Sequence, residues 1–355
     1  MATGTKTAAR RSTSTAAPRQ AGYTRDRFCE QFEQMVTNIT TVIKGKDETI
    51  RLAMTALLAG GHVLFEDYPG TGKTMLARAI AATIDAQDTR IQCTPDLLPA
   101  DVTGSPVLNR KTGDFDFRPG PVFGNVFLVD EINRATPKTQ SALLQAMAEL
   151  EVTVDGRTYP LPRPFVLLAT QNPVEQAGTF ALPEAQLDRF LFKLSLGYAG
   201  RDAEALVLRS NESQHSIDRV GAVINTGEVL KMMEWTRGVT ISDPLVLYII
   251  DLVQHTRTDP ALALGASSRA SMALMAAAKV LAASQGREDV LPDDVKVLIP
   301  AVLSHRLALT PDAQLRDEEV SSVVDRIIAK TKVPTGVITG EATGKRGRLA
   351  AAASA

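Results

Sequence analysis

Val63-Leu64-Phe65-Glu66-Asp67-Tyr68-Pro69-Gly70-Thr71-Gly72-Lys73-Thr74 reads as a short apolar strand, a glycine-bearing turn and the opening of a helix. Such a passage is suited to hold phosphate. Backbone N–H groups surround the anion, the helix end adds partial positive charge, a lysine reaches the β/γ-phosphates and a hydroxyl ligates Mg²⁺. On this pattern Pro69, Gly70, Thr71, Gly72, Lys73, Thr74 and Met75 form the nucleotide-contacting set, with Thr74 also on the metal. The strict formula GxxxxGK[ST] has glycine where Asp67 stands. Gly70 and Gly72, where backbone must approach phosphate, are intact, so Asp67 reads as a tolerated variation at the start of the loop.

Beyond this loop, composition sets bounds. The 355 residues, 44% of them hydrophobic, can bury one large or two medium cores. Lys and Arg number 39 against 40 Asp and Glu, so no global field draws nucleic acid or anionic lipid, and no direct nucleic-acid partner is expected. Cys29 and Cys93 lie far apart without CxxC or Cys/His spacing. That disfavours a disulfide framework or structural zinc and fits a reducing, cytoplasmic location. Apolar runs such as Pro244 to Val253 are too short to span a bilayer, so no transmembrane segment is expected.

Periodicity divides the chain into a polar tail over 1–22, an α/β core over 23–200, a helical domain over 201–330 and a loose tail over 331–355. Two helices precede the loop. Strands are expected at His62–Glu66, Arg90–Thr94, Val126–Val129, Phe165–Thr170 and Leu191–Leu196, with helices at Lys73–Ile84 and Lys138–Leu150 between them. Alternation of this kind predicts a largely parallel sheet. Two β-hairpins interrupt it: Ser105–Phe123, turning at Lys111 to Asp114, and Glu151–Pro162, turning at Asp155-Gly156. Helices are then expected at Asp202–Asn211, Gly227–Trp235, Pro244–Gln254, Ser268–Ala283 and Pro292–Leu303, with Met232, Met233 and Trp235 in their core.

About fifty residues beyond Lys73, Val126-Phe127-Leu128-Val129-Asp130-Glu131 is an apolar strand ending in two acids, the Walker B arrangement. A parallel strand delivers its carboxyl end beside the phosphate loop, so Asp130 suits the Mg²⁺ shell and Glu131 the polarisation of attacking water. Asn172, at the end of the strand Val166–Thr170, is a polar sensor for that water or equally a turn cap before Pro173. Local sequence alone makes Arg189 the partner of a neighbouring acid.

The series HVLFEDYPGTGKT, FLVDEINRA, LLATQNPVEQAGTFALPEAQLDRFLF and GASSRA resembles the AAA+ ATPases, and specifically the MoxR family, over about residues 25–310. The resemblance implies a P-loop core with parallel sheet and two hairpin inserts, followed by a small all-helical lid. It implies hydrolysis of ATP with Mg²⁺, Arg189 as an arginine finger acting on a neighbouring subunit, and Arg269 as a sensor reaching the γ-phosphate from the lid. Catalytic roles then fall to Glu131, Asn172, Arg189 and Arg269, and the metal to Thr74 and Asp130. Val42-Ile43-Lys44-Gly45 resembles the adenine-contacting segment, and Arg134 an interface residue. The family implies rings, usually hexameric, and chaperone-like maturation of clients that often carry a von Willebrand factor A-type domain. A motor on nucleic acid and an ATP-switched scaffold without turnover are the alternatives.

Overall fold

A computed structural model describes residues 23–334 other than 69, 173–177, 199, 203 and 206–215. Of the expected helix Asp202–Asn211 only residues 202, 204 and 205 are described, and these are helical, while the tails over 1–22 and 335–355 lie outside the described residues. In chain order the core contains α1 (Arg25–Thr40), α2 (Asp47–Leu58), β1 (Val63–Glu66), α3 (Lys73–Thr83), β2 (Asp88–Gln92) and α4 (Pro99–Thr103). It continues with β3 (Gly104–Leu108), β4 (Phe115–Pro119), β5 (Val126–Asp130), α5 (Pro137–Glu149), β6 (Glu151–Val154), β7 (Arg157–Pro160), β8 (Val166–Gln171), α6 (Glu184–Leu187) and β9 (Phe192–Leu194).

A five-stranded sheet in the order β2-β5-β8-β1-β9 forms the centre, and every neighbouring pair is parallel. The interior strands β1, β5 and β8 are buried almost throughout, as a sheet covered on both faces requires. Their side chains alternate between two apolar layers. Val63, Phe65, Val126, Leu128, Val166 and Leu168 join the helical side with α1, α2 and α3. Leu64, Phe127, Val129, Leu167 and Ala169 join the side of α5 and the hairpins.

Both expected hairpins form, β3 with β4 and β6 with β7. Asp155 and Gly156 take φ of 48° and 74°, the consecutive left-handed pair of a tight two-residue turn. Phe117 stacks on Tyr159 with ring centroids 4.0 Å apart and ties one hairpin to the other.

The C-terminal part is helical: α7 (Thr226–Arg237), α8 (Asp243–Thr258), α9 (Ser268–Ser284), α10 (Pro292–Leu303), α11 (Pro311–Leu315) and α12 (Val320–Lys330). One feature departs from an all-helical lid. Leu262–Leu264 pairs antiparallel with Ala308–Leu309 in a short ribbon. The tail boundary at 331 also moves, because Thr331 is buried and bonds His255 Nδ1 at 2.8 Å. Apolar packing is continuous from the sheet through α1 into this helical part, where Phe28 stacks on Trp235 at 5.3 Å.

Candidate active site

The loop after β1 shows why its glycines are glycines. Gly70 and Gly72 have φ of 81° and 95°, and a Cβ on either would meet nothing within 4 Å. Backbone conformation demands glycine there, while the space above the loop stays open for an anion. Gly72 is also the residue from which α3 starts, so the helix N-terminus faces the same space. An open cavity of about 460 Å³ lies over it.

That cavity gathers most of the residues singled out by sequence. Gly70, Thr71, Gly72, Lys73, Thr74 and Met75 line it from the loop and α3, Asp130 and Glu131 from β5, and Asn172 from the end of β8. Pro69 lies outside the described residues. Lys73 Nζ donates to the carbonyls of Tyr68 at 2.9 Å and Asp67 at 3.4 Å. Burial lowers its pKa, an effect opposed by Asp67, Asp130 and Glu131.

The two acids diverge because Glu131 leaves the strand with φ 54°, a left-handed conformation uncommon outside glycine. Thr170 on β8 holds this geometry: its Oγ1 accepts from the Glu131 N–H at 2.9 Å and donates to Asp130 Oδ1 at 3.3 Å. Asp130 also accepts from Arg90 Nε at 2.7 Å, and Glu131 from Arg134 Nη1 at 3.0 Å. Arg134 is therefore turned toward its own chain's acid.

Asp67 is not the indifferent variation that the sequence suggested. Its buried carboxylate accepts from Ser195 Oγ (2.8 Å), Leu196 N (2.7 Å) and Gly197 N (2.9 Å), pinning the end of β9 to the start of the phosphate loop. No short motif marks this use, since the partners lie about 130 residues away. Arg78 and Arg90, two further cations of the cavity, were also missed. Arg90 had a legible sign, its alternate position on an edge strand pointing the same way as Gln92.

Beside the loop, Tyr68 and Tyr198 stack at 5.8 Å with both rings substantially exposed. Lys46 Nζ donates to the Tyr198 carbonyl at 2.8 Å, which brings the end of the Val42–Gly45 segment to the same neighbourhood.

Arg189 and Arg269 do not line the cavity. Arg189 follows α6 just before β9, at the end of the sheet opposite the loop, and its Nη1 donates to the Leu144 carbonyl at 2.7 Å. Arg269 is exposed in the first turn of α9. Ser267, which caps that helix, donates to Asp188 Oδ2 at 2.8 Å, so the two arginines share one neighbourhood.

A parallel sheet of this order, a glycine loop running into a helix and two acids at the end of the neighbouring strand define a P-loop nucleotide-binding core with a helical lid. Residues 62–192 match the profile of the ATPase family associated with various cellular activities, and residues 254–327 that of the AAA lid domain. Chaperone MoxR1 of Mycobacterium tuberculosis is 38% identical over 312 residues, 85% of this chain and 82% of its own length. Protein MoxR of Paracoccus denitrificans is 30% identical over 86% of this chain and 96% of its own. The uncharacterised protein YeaC of Bacillus subtilis is 49% identical over 84% and 93%. A crystal structure from Cytophaga hutchinsonii, of a protein whose name proposes ATPase activity, superposes with a TM-score of 0.82 at 36% identity, covering 87% of this chain and 97% of that one. The chain belongs to the MoxR family of AAA+ ATPases.

Proposed function

We propose that this chain hydrolyses ATP in the cavity over the phosphate loop, and that assembled copies use the reaction to remodel or mature partner proteins. The observation that carries the reading is the convergence of Gly70–Thr74, Asp130, Glu131 and Asn172 on one cavity, while Arg189 and Arg269 stay out of it. Phosphoryl transfer needs positioning and charge stabilisation more than covalent help. Lys73, now turned onto two carbonyls, would exchange them for the β/γ-phosphates. Thr74 and the partly buried carboxylate of Asp130 are hard oxygen donors on the cavity wall and suit Mg²⁺, with the exposed Arg90 as the partner to be displaced. The metal supplies charge neutralisation on the phosphates. Glu131 takes a proton from the attacking water, and Asn172 fixes that water's direction.

Because neither arginine faces its own cavity, the site is incomplete in one copy. Arg189 acts on the nucleotide of a neighbour, which makes a ring the working state and a hexamer the expected closure. Arg269, beside Asp188, belongs to the same presenting side. Clients with von Willebrand factor A-type domains and a cytosolic setting follow from the family, with the MoxR1 relative bearing the name chaperone. Both cysteines are free. Among the described residues no helix is long and apolar enough to cross a membrane.

Phosphate release with Mg²⁺-ATP tests the reading. Glu131→Gln should bind ATP as tightly as wild type and turn over at least ~100-fold more slowly, the scale of a lost general base. Wild-type turnover in that variant removes Glu131 from its role, and stimulation of wild type by DNA would transfer the motor to a nucleic-acid client.

A further inference from the structure

The segment that leads into β9 is gripped from the helical part of the molecule. Arg306, just beyond α10, is 6% exposed and spends its guanidinium almost wholly on this segment. Its Nε donates to Asp188 Oδ1 at 2.8 Å, and its Nη2 to the carbonyls of Asp188 at 3.1 Å and Phe190 at 2.6 Å. Nη1 reaches the Leu191 carbonyl at 3.3 Å, and also donates to the carbonyl of Val302 in the last turn of α10. His305 Nε2 lies 3.0 Å from the Phe190 carbonyl. The second carboxylate oxygen of Asp188 takes the Ser267 hydroxyl at 2.8 Å. Arg189, between these clamped residues, has a buried Nε with no acceptor among the described residues.

A buried guanidinium that satisfies four acceptors of one turn, the Asp188 carboxylate and the carbonyls of Asp188, Phe190 and Leu191, fixes that turn more tightly than a surface ion pair could. Phe190 is already fixed by its own burial in the core and Leu191 by its N–H bond to the His62 carbonyl, so the partly exposed residue of the turn whose placement depends on the grip is Arg189. The grip also comes from the helical part, through Arg306 on one side of Asp188 and Ser267 on the other.

We propose that Arg306 is a positioning residue for Arg189, gripping Asp188, Phe190 and Leu191 so that the seating of the helical domain sets where Arg189 is presented to the neighbouring copy. The inference rests on the reading that Arg189 acts in trans. Lysine is a poor replacement for Arg306, because three donors on one nitrogen cannot span the four acceptors, the Asp188 carboxylate and the carbonyls of Asp188, Phe190 and Leu191, that the planar guanidinium reaches from three nitrogens. Moving the helical domain therefore moves Arg189, and a subunit's nucleotide state reaches the next site through this contact.

The test uses the full chain with Arg306→Lys and, as a gentler change of the same contact, Asp188→Asn. Each is expected to lower kcat for ATP by about tenfold or more, with nucleotide affinity within about twofold of wild type and one cooperative melt. Each is then mixed with an equal amount of Lys73→Ala, which is inactive alone but presents an intact Arg189. Random assembly pairs a competent cavity with a well-placed arginine at about a quarter of contacts, so activity should rise toward about a quarter of wild type. Arg189→Ala mixed with Lys73→Ala is the reference. If that pair recovers while the Arg306 and Asp188 variants do not, or if these variants lose affinity at unchanged kcat, the positioning role is overturned. If the reference pair itself fails to recover in mixed assemblies, trans action falls, and the positioning role falls with it.

Discussion

His62 sits just before β1 with both ring nitrogens engaged: Nδ1 accepts from Leu167 N at 3.0 Å and Nε2 faces the Met147 carbonyl at 3.1 Å. The proton therefore belongs on Nε2, and a second proton would break the Leu167 bond. Burial pushes the pKa down to about 4 from the ordinary 6.5, against a smaller upward pull from the Met147 carbonyl. Between these values the unfolded chain binds a proton that the folded chain refuses. Stability from this residue is complete above pH 6.5 and falls as pH drops toward 4, by about 3 kcal/mol in all. His305, buried and beside Arg306, is depressed too and acts with the same sign. Comparing wild type with His62→Gln by denaturant unfolding across this window isolates the His62 share; equal slopes would refute it. Asp67 gives a sharper residue-scale case. Asp67→Gly restores the strict phosphate-loop formula yet removes the acceptor of three hydrogen bonds, two of them from main-chain N–H groups. Unsatisfied buried donors cost about 1–3 kcal/mol each, so the variant should be less stable by about 3 kcal/mol, and unchanged stability would return Asp67 to an indifferent position.

At the scale of elements, the root of the first hairpin depends on two backbones in near contact. A Cβ on Gly120 would lie 2.3 Å from the Val102 carbonyl oxygen and 2.6 Å from Gly104 N. Gly120 has an ordinary φ of −85°, so close approach alone excludes a side chain. Gly120→Ala should cost at least about 2 kcal/mol in a urea melt and spread the β3–β4 root away from α4, whereas an alanine at the open Gly113 turn tests only its φ of 77°. The central strands and both hairpins were legible because burial on two faces and tight turns each leave a local pattern. Elements whose logic is not local were read less well. The strand expected at Arg90–Thr94 begins two residues earlier, at Asp88, since an edge strand is fixed by its pairing with Val126–Asp130 and not by its own hydrophobicity. The helix Val320–Lys330 escaped notice although Val320, Val323, Val324, Ile327 and Ile328 recur at helical spacing. In the site, the loop and the two acids were readable from contiguous motifs. Thr170, Arg306 and the anchoring use of Asp67 were not, because each works through a contact distant in the chain.

The whole molecule is held by one apolar continuum on the helical side of the sheet, in which α1 lies between the core and the lid helices. Phe28 stacks on Trp235, and Arg27 Nη2 donates to Glu228 Oε1 at 2.8 Å across the same contact. Regions that share buried area in this way unfold together. Trp235 is the single tryptophan of the chain, so its fluorescence reports the lid contact while far-UV ellipticity reports all helices. The two melts should coincide in the wild type, and Trp235→Ala, which removes the fluorescent probe itself, should lower the ellipticity midpoint in a single transition, at a cost of about 3–5 kcal/mol for a large ring removed from a packed site. Nucleotide supplies the sharper arm. In Glu131→Gln, saturation with Mg²⁺-ATP at about 100 times its Kd adds about 2.7 kcal/mol to any unit that includes the cavity. If lid and core are one unit, the tryptophan signal shifts upward with ATP by as much as the ellipticity does, though Trp235 does not line the cavity. A fluorescence transition that melts first and ignores ATP would show that the lid helices unfold on their own, and the grip of Arg306 on the Asp188 turn would then be too weak to carry nucleotide state from one copy to the next.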